Sequence, residues 1–473
     1  MNLKNKIESD LNLKKIIKIV QKSKIDTYLV GGYVRDLFLN RKCKDIDFMT
    51  IGDPYSLVEI ISSKNNFSSI KVFKNFGTAS VIDNNYQFEF VGARKESYSK
   101  DSRNPYVSLG TFEEDINRRD FTINSMAISI NKNYGELIDI KNGLDDLQNK
   151  IIKTCDDPNK TFIDDPLRML RAIRFATQLN FDIEPYTFQA IKDSSERIKI
   201  ISIERISSEL NKIILSNNPS YGFKLLFTTN LLGYFFPEMK KLHGIDKVNN
   251  HAHKDNFYHT LEVLDNVSKT SDSLWLRWSA ILHDIAKPLT KRYSEKNGWT
   301  FHGHEDLGAK IVPKIFKKLR LPLDERMKYV QKLVKLHLRP IALVSSNITD
   351  SAIRRLLFEA GDDIEDLMIL CRADVTTKNP ERAKKYLKNF DIVEGKMEMV
   401  EKNDKVKNFQ PPISGIEIIN IFAIKPSKII GKLKNEIKEQ ILDGKIKNNK
   451  KEALDLLLKL GESAGLKPKK LKS

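Results

Sequence analysis

Asp45 and Asp47 stand two apart in the run Lys44-Asp45-Ile46-Asp47-Phe48, and in an extended strand residues two apart project from the same face. Carboxylates that close repel one another unless a cation lies between them, and hard oxygen ligands beside phosphate suit Mg²⁺. A pair of such ions stabilises the attacking and leaving oxygens of an in-line displacement, so the pattern points to phosphoryl or nucleotidyl transfer. Upstream, Gly31-Gly32 separates an apolar run from Tyr33-Val34-Arg35-Asp36. A glycine pair between strand and helix lets backbone amides approach an anion at the positive helix end, and Arg35, one turn in, adds a charged contact to phosphate oxygens. Asp-x-Asp alone often marks a solvated strand edge, and Gly-Gly alone a plain turn. Their succession within one strand, helix and strand favours a site. Glu89, between Phe88 and Phe90, is the candidate for a third metal-facing carboxylate, with an ordinary exposed strand position as the equal alternative.

Further along, Arg118 and Arg119 offer guanidiniums to triphosphate oxygens, while Asp120 and Asn124 offer acceptors to ribose hydroxyls. A surface salt-bridge cluster is the plain alternative. Asp165 and Arg168, three apart, share a helix face. A carboxylate beside a guanidinium matches the pairing edge of adenine or cytosine: one accepts from the exocyclic amine, the other donates to a ring acceptor. Uracil and guanine present a carbonyl oxygen where the amine would be. With Pro166 at the first helical position, Asp165 is equally suited to cap that helix. Arg171 and Arg174 continue at helical spacing, either reaching the triphosphate or lining the neck, and Glu204, Arg205 and Glu209 divide between ion pairing and function in the same way. All eight histidines lie between His243 and His337, a clustering that suggests a second site.

The elements that must position these groups are legible in outline. Thr27–Val30 predicts a strand ending at the glycine pair, with helical spacing from Tyr33 to Leu39. Residues 45–48 and 86–91 predict two more strands, and residues 79–82 a hairpin partner across Asp83-Asn84-Asn85. Beyond Asp164 nearly everything has helical periodicity, broken near Asn217–Ser220, Phe236-Pro237, His243-Gly244 and Gln410-Pro411-Pro412. The expected fold class is α+β: a mixed-sheet head followed by an all-helical body, with a basic tail from Lys467.

Eighty Lys and Arg against 62 Asp and Glu leave a net charge of +18, which suits a polyanionic partner through counterion release, although solvated lysine-rich faces account for it equally well. No stretch has the roughly 18 apolar residues of a membrane span, and the first ten residues lack the apolar core of a signal peptide. Three scattered cysteines argue against a disulfide framework and for a reducing, cytoplasmic setting.

Leu29-Val30-Gly31-Gly32-Tyr33-Val34-Arg35-Asp36 with Asp45-Ile46-Asp47 resembles the first motif of the class II tRNA nucleotidyltransferase and bacterial poly(A) polymerase family. The segment Glu114 to Ala127 is similar to that family's second motif, with Ser125 where Ala is more usual. Asp164 to Ala176 is similar to its Glu-Asp-x-x-Arg motif, with Asp164 in place of Glu. The resemblance implies a polymerase-beta-like head, ribose selection by the Arg118–Asn124 segment, and ATP and CTP chosen by Asp165 and Arg168 for addition to a tRNA 3′ end. His259, His283-Asp284 and Asp374 resemble the HD phosphohydrolase pattern, which implies that these four side chains bind a divalent metal. Imidazole with carboxylate suits Mn²⁺, Ni²⁺, Co²⁺ or Fe²⁺, and His302, His304, Glu305 and His337 are extra ligand or phosphate-binding candidates. Such a site implies phosphatase or cyclic phosphodiesterase activity. The resemblance covers about residues 20–465 and divides the chain into a head (1–155), a neck with the base-reading motif (156–240), an HD region (241–380) and a tRNA-contacting helical tail (381–473). Full CCA addition, CC- or A-addition and poly(A) synthesis share these motifs. A phosphohydrolase with an inert head, or a purely RNA-binding protein, would have no use for the paired strand acids.

Overall fold

The computed structural model describes residues 1–64, 69–73, 77–83, 85–97, 106–248, 251–345, 349–377, 379–407 and 409–469. The chain divides into two compact units, Met1–Pro237 and Glu238–Ser473.

The first unit is built on a seven-stranded mixed sheet. Its strands are β1 (Thr27–Val30), β2 (Asp45–Thr50), β3 (Ser69–Phe73), β4 (Thr78–Asp83) and β5 (Tyr86–Gly92). After a separate ribbon of β6 (Arg94–Ser97) and β7 (Tyr106–Leu109), β8 (Ala127–Ser129) and β9 (Leu137–Ile138) complete it. The order is β3-β4-β5-β2-β1-β8-β9, and only β2 and β5 run parallel. The expected hairpin between residues 79–82 and 86–91 forms, although Asn84 of its turn lies outside the described residues. Strands β8 and β9 were not expected, being three and two residues long, too short for an alternation to be read.

The register of the central strands follows from burial. Ile46 and Phe48 on β2 and Phe88 and Phe90 on β5 are all 0% exposed, and the Phe48 and Phe90 rings stack with centroids 4.7 Å apart. Each such side chain contributes about 2 kcal/mol on leaving water. Because alternate residues point to opposite faces, this burial turns Asp45, Asp47 and Glu89 to the other face, and a one-residue slip would bury the acids instead. Beside the sheet, the helix Leu11–Lys22 is capped by Asp10, which accepts from the amides of Asn12 and Leu13, and it buries Leu13, Ile16, Ile17 and Val20.

The helical part of the first unit runs through Pro158–Asp164, Leu167–Leu179, Pro185–Ser194, Ile203–Ile214 and Pro219–Thr228. Two details differ from expectation. Pro166 precedes the first helical residue, Leu167, rather than occupying it; Asp165 ends the preceding helix and accepts from the Leu167 amide at 3.1 Å. The break at Asn217 ends at Pro219, whose fixed φ starts the next helix, so Ser220 is helical.

The second unit is helical apart from two short ribbons, Lys247–Val248 with His251–Ala252 and Arg292–Ser294 with Gly298–Thr300. The helix that carries His259 starts at Asn256, because Asp255 caps it by accepting from the Phe257 and Tyr258 amides. His283 and Asp374 sit at the C-terminal ends of Leu274–Leu282 and Ile364–Ala373. No helix among the described residues is long and apolar enough to cross a membrane. Cys43, Cys155 and Cys371 are free thiols.

Candidate active site and metal centre

In the first unit a cleft of about 670 Å³ gathers most of the expected site residues. Its lining includes Gly31, Gly32 and Arg35 from the glycine turn, Asp47 and Glu89 from adjacent strands, and Arg118, Arg119, Asp120 and Asn124 from the second motif. Asp165, Arg168 and Arg171 close it. Asp45 is exposed and lies outside the lining, on the same strand face as Asp47.

The carboxylates are drawn together by strand pairing. Asp47 stands opposite Val30 on β1 and opposite Glu89 on β5. Burial, then the Glu89 charge and more weakly Asp45, lift the Asp47 carboxyl to about 6 against the pull of Arg119. Burial and Asp45 likewise raise Glu89, opposed by Arg94. Carboxylates that resist joint ionisation in a polar cleft are the donor set a hard divalent cation would relieve, so these residues fit such an ion.

The glycine turn lies directly against this cluster. Gly31 has φ +71°, and a Cβ there would lie 3.3 Å from Asp47 Oδ2 and 3.4 Å from Arg119 Nη1. Gly32 has ordinary φ and a looser neighbour, Arg35 Nη2 at 3.6 Å. Gly31→Ala therefore costs about 1–2 kcal/mol in backbone strain and displaces the acid, whereas Gly32→Ala is milder. We expect thermal unfolding and turnover to separate the pair: Gly31→Ala loses at least about tenfold in turnover, and equal behaviour of the two variants would refute a role for the turn.

Arginines and acids interlock around the second motif. Asp115, 1% exposed, accepts from Arg118 Nε at 2.9 Å and Nη2 at 2.5 Å, and from Arg119 Nε at 3.2 Å and Nη2 at 2.9 Å. Burial opposes ionisation of Asp115, but the two guanidiniums hold its carboxyl below the usual range. Asp120 accepts at Oδ1 from the Phe121 amide and Asn124 Nδ2, and at Oδ2 from Arg171 Nε and Nη2. Burial would raise its carboxyl, and Arg171 prevails, holding it at about 2. Asn124 Oδ1 accepts from Arg35 Nη1 at 2.8 Å. The acceptors expected to meet ribose hydroxyls are thus engaged by protein donors: Asp120 and Asn124 tie the glycine-turn helix to the helix Leu167–Leu179.

On that last helix, Arg168 Nη2 donates to the Arg118 carbonyl at 2.8 Å; just before it, Asp165 Oδ2 lies 3.8 Å from Arg205 Nη2. Arg205 joins the lining of the cleft. Arg174 does not: its Nε lies 2.8 Å from Glu209 Oε2 and its guanidinium lies 4.0 Å above the Phe175 ring. Burial lowers it to about 10 against the Glu209 charge. The available sequence signal for Asp115 is its spacing of three and four residues from Arg118 and Arg119, which follow directly on the helix Phe112–Asn117.

In the second unit the four expected metal residues come together, with two more. His259 Nε2 lies 2.9 Å from Asp374 Oδ1 and 3.4 Å from Asp284 Oδ2; His283 Nε2 lies 3.2 Å from Asp284 Oδ2. On the other side His304 Nε2 lies 3.2 Å from Asp284 Oδ1 and 3.3 Å from His337 Nε2. Ring Nδ1 atoms of His283, His304 and His337 each approach a backbone carbonyl at 2.7 Å, an arrangement that leaves Nε2 as the inward ligand atom. Two ligand triads result, His259-His283-Asp284 and Asp284-His304-His337, sharing Asp284. The buried His283 Nε2 has no hydrogen-bond partner among the described residues, as expected of an atom reserved for a metal. Against the lowering effect of burial, Asp284 raises His283 to about 10, while burial and His283 push His337 down to about 4. Imidazole nitrogens and carboxylate oxygens converging in this way fit a divalent cation. Lys287 Nζ sits 2.6 Å from Asp284 Oδ2. His302 is exposed, and Glu305 lies beside His304 Nδ1 at 3.6 Å, away from the Nε2 cluster.

Comparison with known proteins gives matches along three stretches of the chain. A family model described as the poly A polymerase head domain matches residues 27–153, one described as a probable RNA and SrmB-binding site of polymerase A matches 180–242, and an HD domain model matches 256–379. A CCA-adding enzyme of Lactobacillus helveticus is 37% identical over 218 residues, 46% of this chain, and the chain spans about half (53%) of that relative's length. A multifunctional CCA protein of Psychromonas ingrahamii is 34% identical over 312 residues, covering 63% of this chain and 71% of that protein. The CTP complex of the Bacillus stearothermophilus CCA-adding enzyme shares the fold, with a TM-score of 0.66 at 22% identity over 95% of this chain and 97% of that one.

Proposed function

Because the chain belongs to the family of CCA-adding enzymes and poly(A) polymerases, we propose that it adds CMP and AMP from CTP and ATP to the 3′ end of tRNA without a template, releasing pyrophosphate. The observation that carries this reading is the convergence, in one cleft, of the Asp47–Glu89 acids, the Arg118–Arg119 pair and the Asp165–Arg168 pair. Asp45 and Asp47 would hold Mg²⁺, which when bound supplies charge stabilisation to the attacking and leaving oxygens. Arg118 and Arg119 meet the triphosphate, with the Gly31 turn open beside them. Arg168 donates to the ring acceptor of cytosine or adenine, and Asp165 Oδ2 accepts from the exocyclic amine. Uracil and guanine bring an oxygen to that carboxylate and are refused by like polarity. Because side chains read the base, no template strand is needed.

The test is incubation with tRNA lacking its 3′ CCA, offering CTP and ATP singly and together. Two additions with CTP alone and three with both are expected. A long ladder with ATP alone would identify a poly(A) polymerase, a stop after CC or after a lone A a partial enzyme, and no extension would overturn the reading. The free thiols suit a reducing, cytoplasmic setting. The head, neck, HD and tail division at residues 155, 240 and 380 is retained as part of this reading.

A second reading rests on the buried His283 Nε2 and the shared Asp284: the HD region would bind a divalent transition metal and hydrolyse a phosphate ester at an RNA end. Histidine-rich triads favour Mn²⁺, Fe²⁺, Co²⁺ or Ni²⁺ over Mg²⁺. We expect His283→Ala to lose bound transition metal by elemental analysis, and any hydrolysis of a 2′,3′-cyclic phosphate, while nucleotide addition stays within about twofold. Full metal content in the variant would reject the assignment.

A further inference from the structure

We propose that Asp115 is a positioning residue for the triphosphate, holding Arg118 and Arg119 as a preformed fork that receives the pyrophosphoryl part of the incoming nucleotide. The proposal rests on the nucleotide reading of the cleft and goes beyond it, since Asp115 matches neither a metal ligand nor a base reader.

Four guanidinium hydrogen bonds converge on this one carboxylate, and each oxygen serves a different arginine. The acid is withdrawn from solvent while the cations reach the cleft: side-chain exposures are 1% for Asp115 against 19% and 17% for Arg118 and Arg119. A buried carboxylate is tolerated only when paired, and here two cations to one acid leave a net positive charge on the wall, as an anionic ligand requires. Both Nε atoms are tethered, so the two heads present fixed directions; Arg119 Nη1 lies against the Gly31 turn and donates to the Asn124 carbonyl at 3.4 Å. The helix Phe112–Asn117 that carries Asp115 is itself fixed by a capping box between Thr111 and Glu114. Fixing long arginine side chains before binding removes an entropic cost otherwise met when phosphate arrives.

Base choice is insulated from this clamp, because Arg168 bonds to the main-chain carbonyl of Arg118 rather than to its side chain. Loosening the fork should weaken phosphate binding without changing which base is taken.

The test uses the full chain with Asp115→Asn, whose amide cannot accept from both arginines as the carboxylate does. Three quantities are measured: binding of inorganic pyrophosphate with Mg²⁺ in the absence of tRNA, KM for CTP and ATP, and preference for CTP over UTP. The expected result is a loss of about tenfold to hundredfold in pyrophosphate affinity with a parallel rise in both KM values, and base preference unchanged. Unaltered pyrophosphate affinity, or a fall in kcat and melting temperature at constant KM, would overturn the proposal in favour of a merely structural acid. If the Asn variant does not fold, Asp115→Glu keeps the charge but displaces the fork by one methylene. It must raise the same constants severalfold, and unchanged constants in folded Glu variant would equally overturn the proposal. Wild-type extension of tRNA, run alongside, separates the outcomes: its failure removes the nucleotide reading, whereas the pyrophosphate measurement reports on the fork alone.

Discussion

Asp47→Asn abolishes nucleotide addition and at the same time stabilises the metal-free protein. The loss of turnover follows from removing a carboxylate that would hold Mg²⁺ at the reacting oxygens, an effect of about 4 kcal/mol or about 10³-fold. The gain in stability follows from the electrostatics of the strand pair. Burial and the Glu89 charge raise the Asp47 carboxyl from 3.8 to about 6, so the folded state disfavours its ionised form. At about 1.4 kcal/mol per pH unit, that displacement corresponds to at most about 3 kcal/mol. For a carboxyl raised by folding, the unfolded chain ionises first, so the penalty is absent below about pH 4, grows as pH rises, and is complete above about pH 6. Denaturant unfolding of wild type and variant without divalent cations should therefore diverge at pH 7.5, with the Asn variant more stable, and converge near pH 3.5. A variant less stable than wild type at pH 7.5 would show that Asp47 is held by favourable partners instead. The same value predicts that Mg²⁺-dependent turnover declines as pH falls through 6, because cation binding must then displace a proton.

Arg168→Ala is expected to cost selectivity more than structure. Its side chain lines the cleft, and the helix carrying it is anchored by Leu167, Met169 and Leu170, all buried. A good side-chain to base pairing is worth about 1–3 kcal/mol of discrimination, so kcat/KM for CTP and ATP should fall by about 10–100-fold while that for UTP changes little. Competition assays with mixed nucleotides read this directly, and an unaltered CTP-to-UTP ratio would remove Arg168 from base reading. Loss of the 2.8 Å bond to the Arg118 carbonyl adds a lesser general effect, shared by all nucleotides, and the ratio cancels it.

These two expectations draw on different kinds of knowledge. That Asp45 and Asp47 share a face was readable from alternation alone, because burial of Ile46 and Phe48 leaves no other choice. The spacing of Asp165 and Arg168 suggested one helix face, whereas Asp165 lies just before the helix Leu167–Leu179 that carries Arg168; the clustering of histidines in one region was readable directly. For Asp120 the folded chain adds partners that no local pattern shows: its carboxylate holds Asn124 and Arg171, the latter 51 residues away. Arg174 meets Glu209, a contact that depends on how the helix Ile203–Ile214 packs.

Local order along the chain determined which side chains travel together, since strand and helix periods are set by backbone geometry and by which residues leave water. Only the folded chain decided what each group meets across the cleft: Glu89 beside Asp47 through a parallel pairing, and His304 and His337 beside Asp284 through helix packing. Those meetings join residues distant in sequence, and their register is the outcome of many buried contacts at once, so no short stretch carries the information that specifies them.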